Sequence, residues 1–398
     1  MNRFRFIIIA SIVSVFLLFH VPAGQADSDA ILIGLDADMS SGSAKSGEAI
    51  RRGIILAIDE INKAGGVLGR SFELVVKDHR GNPARGIDNI EDFSGMKDLV
   101  AVVGGLHTPV AMAELEKIHE RKLVYLVPWA AGTPVIKNGF TPNYAFRVSV
   151  RDEYAGGFLV DQAIGVGYKR LGLLLEQTGW GRSNKNAMEA ALKNKGLEPA
   201  GIQWFLWGVN SLADQISSLR SAGAEAILMV ANAPEGIVAV RSMASMPGEY
   251  RLPIISHWGI TGGDFFQKAQ KELSRVNLVF LQTYSFIDPP FPDRAKHFMD
   301  MLKKKYPDIQ SPRDIFSPVG TAHAYDLIQL LKSAVEKAGT IERPAVRTAL
   351  ENLEEYKGLV RDYKPPFTSE NHDALNRDDF RIAGYDSEGV IIPVKRNK

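Results

Sequence analysis

The chain has 398 residues, which is long enough for two domains that each bury an apolar core. It carries 47 Lys and Arg residues against 46 Asp and Glu residues, so the net charge of +1 gives no overall basic field that would attract nucleic acid. The sequence contains no cysteine, which excludes disulfide bonds, thiol catalysis and a lipid anchor on cysteine.

The N-terminus has the order of regions found in secretory signals. Arg3 and Arg5 precede an apolar run over residues 6–19, and small residues follow up to Ala26. This order predicts a signal peptide over residues 1–26 that is cleaved after Ala26, and therefore a periplasmic protein. An uncleaved anchor helix is the alternative, but the apolar run is short for a membrane span.

The stretch that follows predicts a strand, a loop, a long helix and a second strand. Ile31–Leu35 is a buried apolar strand, and Ile50 and Ile54 begin an apolar stripe at helical spacing that must pack on a sheet. The loop from Asp36 to Ser46 lies where open α/β sheets bind small ligands, with backbone N–H groups facing the ligand.

Short apolar runs alternate with helical patterns along most of the remaining chain. Such alternation is typical of parallel sheets covered by helices on both faces, and right-handed crossovers make those sheets doubly wound. The predicted strands are Phe72–Val76, Leu99–Val103, Leu123–Val127, Leu171–Leu175, Ile202–Trp207 and Ala226–Val230, and the predicted helices are Val110–Ile118, Asn184–Asn194 and Leu212–Leu219.

One sheet for the whole chain would be oversized, so we expect two lobes. Extended segments at residues 144–151 and 277–286, and a third after Leu353, predict three crossings between the lobes, with a cleft that can close around a ligand. The predicted N-terminal lobe comprises residues 27–147 and 287–355, and the predicted C-terminal lobe comprises residues 148–286 and 356–398.

Several sequence blocks occur together in a recognisable order. They are SGSAKSGEAIRRGIILAIDEINKAGGVLGR, VAVVGGLHTPVAMA, LVYLVPWAAGTP, AFRVSVRD, RLGLLLEQTGWGRSNKNAMEAAL and AHAYDLIQLLKSAVEKAG. With them, residues 30–398 resemble the periplasmic substrate-binding proteins of branched-chain amino acid ABC transporters, the Leu/Ile/Val-binding family.

The resemblance implies an α/β fold of two Rossmann-like, doubly wound lobes joined by three hinge crossings, the type I periplasmic binding protein with Venus-flytrap closure. It implies a small-molecule ligand as partner, and delivery of that ligand to the membrane permease and ATPase of an ABC importer. We expect a monomer that needs no cofactor and binds no nucleic acid.

The resemblance also places ligand contacts in both lobes. Thr108, at the start of its helix, would hold a ligand carboxylate together with nearby backbone N–H groups, and a plain N-cap role is the compatible alternative. The other positions that the resemblance assigns to the ligand are Trp129, Ala131, Trp180, Asn232 and Trp258, and His107 lies beside Thr108 as a further candidate.

One family contact is missing. The acid that pairs a ligand ammonium after the strand at residues 252–256 is absent, and Trp258 stands there instead. A buried ammonium without an anionic partner is costly, so an aromatic acid is slightly favoured over an aliphatic amino acid. Trp129, Trp180 and Trp258 together favour a flat or aromatic ligand, although each alone could serve only for packing.

The first loop offers a substitute for the missing charge. Asp36 and Asp38, with Ser46 at the other end of the loop, could face the ligand, and capping of the loop and helix is the alternative. His107 and His257 could donate to a carboxylate, with a structural role as the default.

The sequence contains no enzyme motif in the structural context that the motif needs. GGVLGRS at residues 65–71 follows a helix, the reverse of the context that a phosphate loop needs, and the chain has no G-x-S-x-G elbow or H-E-x-x-H pair. The sequence therefore predicts a non-enzymatic solute receptor for an importer. The alternative is a periplasmic ligand-sensing receptor of the same fold.

Overall fold

The computed structural model describes residues 30–394. The predicted signal peptide, residues 1–26, lies outside the described residues, and so does the C-terminal stretch 395–398. Between residues 30 and 394, no helix combines the length and the apolar character that crossing a membrane requires.

The described residues alternate strands and helices in chain order. The strands are β1 (Ile31–Ala37), β2 (Phe72–Asp78), β3 (Leu99–Val103), β4 (Val124–Val127), β5 (Ala145–Arg147), β6 (Leu171–Glu176), β7 (Gly201–Phe205), β8 (Ala226–Val230), β9 (Ile254–Ser256), β10 (Leu278–Gln282), β11 (Tyr356–Lys357), β12 (Asp362–Tyr363), β13 (Arg381–Tyr385) and β14 (Ile391–Pro393). The α-helices are α1 (Ala44–Lys63), α2 (Pro83–Ser94), α3 (Thr108–Glu120), α4 (Thr133–Ile136), α5 (Asp152–Gly165), α6 (Gly179–Lys193), α7 (Ala213–Ser221), α8 (Ala233–Ser245), α9 (Phe265–Leu273), α10 (Pro292–Lys305), α11 (Pro318–Ala338) and α12 (Arg343–Glu351).

The first sheet is entirely parallel, in the order β2-β1-β3-β4-β5. Every residue of β3 and β4 is buried, as expected of strands covered by helices on both faces. The opening strand–loop–helix–strand unit is confirmed, and Gly65 and Gly66 end α1 with positive φ angles of 107° and 75°, a backbone that glycine adopts at low cost.

The second sheet has the order β14-β13-β10-β9-β8-β6-β7. Strands β6 to β10 are parallel, whereas β13 and β14 are antiparallel additions at one edge. A hairpin needs no crossover helix, so the alternating helix–strand pattern could not predict this edge. The α/β class with two doubly wound sheets is confirmed.

The chain first passes from one sheet to the other directly after β5. Residues 148–151, which belong to the first predicted crossing, link β5 to α5. The second predicted segment, 277–286, contains β10, which pairs with β9, so the passage itself follows at residues 283–291.

The residues that directly follow Leu353, where the sequence predicts the third crossing, stay beside the first sheet. The β11–β12 hairpin stays beside α11, where the Asp326 carboxylate accepts hydrogen bonds from the Val360 N–H at 2.9 Å and the Tyr363 hydroxyl at 2.7 Å. The Arg147 N–H then donates to the His372 carbonyl at 2.8 Å, which extends the first sheet. The lobe boundaries stay a prediction, and these contacts favour a third crossing beyond residue 374.

Helices α1 and α11 approach closely because Gly53 has no side chain. A Cβ atom at Gly53 would lie 2.2 Å from the Thr321 carbonyl oxygen. This packing fixes the N-terminal part of α11, from which His323 contacts the Pro128 carbonyl at 2.9 Å, next to the cleft.

Candidate functional site

The loops that follow β3 and β4 of the first sheet meet the loops that follow β6, β8 and β9 of the second. Ligands of open α/β sheets bind outside these carboxyl ends of the strands. The loops enclose a cavity of about 10 Å³, about the space that one water molecule needs. Its lining residues are Leu106, His107, Thr108, Pro109, Trp129, Ala130, Ala131, Glu176, Trp180, Asn232 and Trp258.

Most of the residues that the sequence assigned to the ligand line this one cavity. Asp36 and Ser46 are not among the lining residues. The role of the lining residues in binding stays a prediction. The predicted residues that the structure brings together are His107, Thr108, Trp129, Ala131, Trp180, Asn232 and Trp258.

Thr108 is the first residue of α3, and it is 4% exposed. Its hydroxyl oxygen accepts a hydrogen bond from the Gly132 N–H at 3.1 Å, which leaves its proton free for a ligand acceptor. A Cβ atom on Gly132 would lie 2.4 Å from the Thr108 methyl carbon, so the glycine permits this approach. The N-terminus of a 13-residue helix favours negative charge at this point.

Two of the three predicted tryptophans face each other from different lobes. The ring centroids of Trp129 and Trp258 are 5.5 Å apart. Two glycines leave room for the indoles, since a Cβ atom would lie 3.1 Å from Trp129 at Gly320 and 2.6 Å from Trp180 at Gly259. The cavity therefore has flat apolar walls on both sides.

A buried carboxylate orients Trp180. The indole N–H of Trp180 donates to Oδ1 of Asp152 at 3.2 Å, and Nε2 of His257 lies 3.2 Å from the same oxygen. Nδ1 of His257 accepts a hydrogen bond from the Trp258 N–H at 2.9 Å. His257 is fully buried and is not a lining residue, so it supports two tryptophans of the cavity without facing it.

Glu176 is the charged lining residue that the sequence reasoning missed. It ends β6 and is fully buried. Its Oε1 accepts from the Thr178 hydroxyl at 2.5 Å, and its Oε2 accepts from the Trp207 indole N–H and from the Asn232 amide, each at 3.0 Å. Burial raises the pKa of Glu176 to about 7, although the hydrogen bonds from Thr178 and Trp207 lower it.

Ser46 joins the lobes instead of lining the cavity. Its hydroxyl donates to the Gly262 carbonyl at 3.1 Å. The Ser317 hydroxyl similarly donates to the Thr261 carbonyl at 3.0 Å, and Lys45 pairs with Asp264 at 2.6 Å. The lobes are therefore in contact across the cleft.

Asp36 lies away from the cavity and cannot provide the missing charge there. It accepts from the Asn89 amide at 2.7 Å and faces the buried Glu114. Burial, with the neighbouring Glu114 carboxyl, raises the pKa of Asp36, and burial raises that of Glu114. One oxygen of each residue, Oδ2 of Asp36 and Oε1 of Glu114, lacks a donor, so the pair is best satisfied by a shared proton.

Asp38 caps its own loop, as its alternative role predicted. Its carboxylate accepts from the N–H groups of Ser41 at 2.7 Å and Ser43 at 2.9 Å, and hydrogen bonds that include one to His107 lower its pKa. The Asp38 carboxylate therefore stabilises its own loop through these bonds.

The sequence profile of a family described as periplasmic binding protein matches residues 30–389. The chain belongs to this family. Among curated relatives, it is 25% identical over 370 residues to the Leu/Ile/Val-binding protein homolog 3 of Brucella melitensis, covering 89% of this chain and 93% of that protein. It is 24% identical to the Leu/Ile/Val-binding protein BraC3 of Rhizobium johnstonii, covering 85% of this chain and 87% of that protein.

Solved structures share the fold. A type 1 periplasmic binding protein from Bordetella pertussis Tohama I has a TM-score of 0.83 at 21% identity, covering 92% of this chain and all of that one (100%). The substrate binding protein LivJ of Streptococcus pneumoniae, in complex with isoleucine, has a TM-score of 0.75 at 20% identity, covering 92% and 100%. A solute binding protein from R. palustris, in complex with 4-hydroxybenzoate, has a TM-score of 0.77 at 17% identity, covering 92% and 96%.

In this periplasmic binding protein a second, larger chamber adjoins the first. It has a volume of about 150 Å³ and shares His107 and Asn232 with the first cavity. Trp207 crosses from the second lobe, with its ring centroid 5.6 Å from that of His107. The other residues that line it are Asp38, Ser41, Gly42, Ser43, Arg80, Gly81, Pro234 and Glu235.

Proposed function

We propose that this chain is the periplasmic solute-binding component of an ABC importer, that it captures a small carboxylate-bearing ligand between its lobes, and that it delivers the ligand to a membrane permease. The ligand is an aromatic acid or an amino acid. The observation that carries the proposal is the position of Thr108, at the N-terminus of α3 and on the wall of a cavity built by both lobes.

The chemistry of this position suits a carboxylate. The first N–H groups of a helix have no partners within the helix, and the helix dipole adds partial positive charge beside them. The Thr108 hydroxyl supplies a further donor, because its oxygen already accepts from Gly132. Isoleucine and 4-hydroxybenzoate, which are bound by two structural relatives, both carry a carboxylate.

The position between the lobes couples binding to closure. The lining residues come from loops of both sheets, so a ligand gains its full set of contacts only when the lobes are together. A ligand shifts the lobes toward closure by the difference between its affinities for the two states. The cavity of about 10 Å³ must widen to admit a ligand, which requires movement of the lobes or of the tryptophans.

A thermal-shift screen of the protein lacking residues 1–26 tests the proposal. It should cover L-amino acids, aromatic acids such as 4-hydroxybenzoate, short aliphatic acids, and amides and amines without a carboxylate as controls. A ligand at 100 times its Kd stabilises the folded state by about 2.7 kcal/mol, a clear rise in Tm. Rises confined to compounds without a carboxylate would contradict the proposal.

Ligand sensing is the alternative to transport. The two roles can be distinguished by what cells lose when they lack the protein. We expect cells that lack this chain to lose high-affinity uptake of the radiolabelled ligand, and a plasmid copy to restore it. Unchanged uptake with a lost transcriptional or motility response would favour the sensing receptor.

A further inference from the structure

Glu176 is a buried carboxylate that faces the cavity without a cation. It is fully buried and lines the same space as Thr108 and the tryptophans. Among residues 30–394, no Lys, Arg or His lies within ion-pair distance of it, although ion pairs are frequent elsewhere in this chain. Its charge is balanced only by neutral donors.

The hydrogen bonds of Glu176 leave room for one more donor. A carboxylate offers about four acceptor positions. Thr178 occupies one position on Oε1, while Trp207 and Asn232 occupy two on Oε2. The remaining position therefore belongs to Oε1.

We propose that Glu176 binds the ammonium group of the ligand and so replaces the acid that is missing at Trp258, which makes the ligand an α-amino acid and not an aromatic acid. This inference rests on the proposed function, because it takes Thr108 as the site of the ligand carboxylate. Carboxylate and ammonium would then be held by opposite lobes, Thr108 on the first and Glu176 on the second. An amino acid would connect the lobes through two charged ends, whereas a simple acid would leave Glu176 unpaired.

The electrostatics of the wall agree with a cationic group there. The carboxyl groups that act on Glu176 from other elements are Glu235 of α8 and Asp152 of α5, and both raise its pKa. His107 is the titratable group that lines the cavity from the first lobe. A bound ammonium would favour the ionised form of Glu176, so binding near pH 7 should release protons and should weaken as the pH falls below 7.

Matched pairs of compounds that differ only in the α-amino group test the assignment. The pairs are L-leucine with 4-methylpentanoate and L-phenylalanine with 3-phenylpropanoate, and 4-hydroxybenzoate is added as an aromatic acid. We expect the amino acid of the binding pair to bind at least about thirtyfold more tightly than its deaminated partner. Glu176→Gln should remove most of that difference, while the control Glu235→Gln, which removes a nearby carboxylate outside the first cavity, should keep it.

Calorimetry of the unmodified protein, in buffers of different ionisation enthalpy, keeps the test independent of whether the variant folds. Proton release on binding at pH 7 supports the assignment. Proton uptake, equal affinity within a pair, or a Glu176→Gln protein that keeps the thirtyfold preference would overturn it and leave the carboxylate site at Thr108 standing. If the protein binds no compound of these pairs, does not bind 4-hydroxybenzoate and binds no other compound of the screen, the proposed function is overturned together with the assignment of Glu176.

Discussion

The indole rings of Trp129 and Trp258 belong to different lobes, and their centroids lie 5.5 Å apart with the ring planes tilted by 36°. Trp129 follows β4 of the first sheet, and Trp258 follows β9 of the second. Any movement of the lobes or any ligand between them must change this pair, so it reports directly on the cleft.

We expect ligand binding to change the intrinsic fluorescence of the protein, because three of its five tryptophans line the cavity. Trp129→Phe and Trp258→Phe should each lose a large part of the change. Trp204→Phe is the matched control, since Trp204 lies in β7 and does not line the cavity. A titration in which only Trp204→Phe alters the signal would contradict the placement of the cleft.

Thr108→Val should weaken ligand binding at least about tenfold, because the variant cannot donate to the ligand carboxylate and hydrogen bonds to charged groups contribute about 1.5–3 kcal/mol. Isothermal titration measures the change. Thr108→Ser is the control, since it keeps the hydroxyl and should bind nearly as well as the unchanged protein. Equal affinities of the Val and Ser variants would place the carboxylate elsewhere.

A buried ion pair stabilises the loop after β4, which lines the cavity. Nε of Arg147 donates to Asp373 at 2.5 Å, and Nη1 of Arg147 donates to the carbonyls of Ala130 and Gly132 at 3.0 and 2.9 Å. Asp373→Ala should lower the free energy of unfolding by about 3–5 kcal/mol, because it leaves a buried guanidinium without its partner. Denaturant titration measures the loss.

The matched control for that change is an exposed pair. Lys296 and Asp300 interact at 2.8 Å with side chains that are 76% and 60% exposed. Asp300→Ala should change the free energy of unfolding by less than about 1 kcal/mol. A loss at Asp373 no larger than the loss at Asp300 would show that Arg147 finds other partners.

The fold and much of the cavity lining could be predicted from the sequence, and Glu176 could not. Strands and the helix at Thr108 follow from local apolar periodicity, and the family resemblance places the tryptophans. Glu176 reads as the last residue of a strand, because its donors Trp207 and Asn232 are distant in the sequence and only the fold brings them together. The position of Asp36 could not be predicted for the same reason, because Asp36 lies in strand β1 beside Glu114 of helix α3, which is distant in the sequence.

The Asp36–Glu114 pair predicts that stability falls as the pH rises. The folded-state pKa of Asp36 is raised above its usual value of 3.8, so the unfolded chain binds fewer protons above that pH. The stabilisation is fully present below pH 3.8 and is lost progressively as the pH rises toward the folded-state pKa. Asp36→Asn should therefore flatten the decline in the free energy of unfolding between pH 5 and pH 9, and an unchanged slope would contradict a shared proton.

We expect Trp207 to slow the release of the ligand. Its ring from the second lobe lies 5.6 Å from that of His107 on the first, and its indole N–H donates to Glu176 at 3.0 Å. Trp207→Ala should remove a contact that exists only while the lobes are together, and so should raise the dissociation rate about tenfold or more. Stopped-flow displacement measures that rate. Trp207→Phe keeps the ring against His107 but loses the donor, so a release rate between the other two would separate the ring contact from the hydrogen bond, whereas equal rates for all three proteins would show that Trp207 has no part in closure.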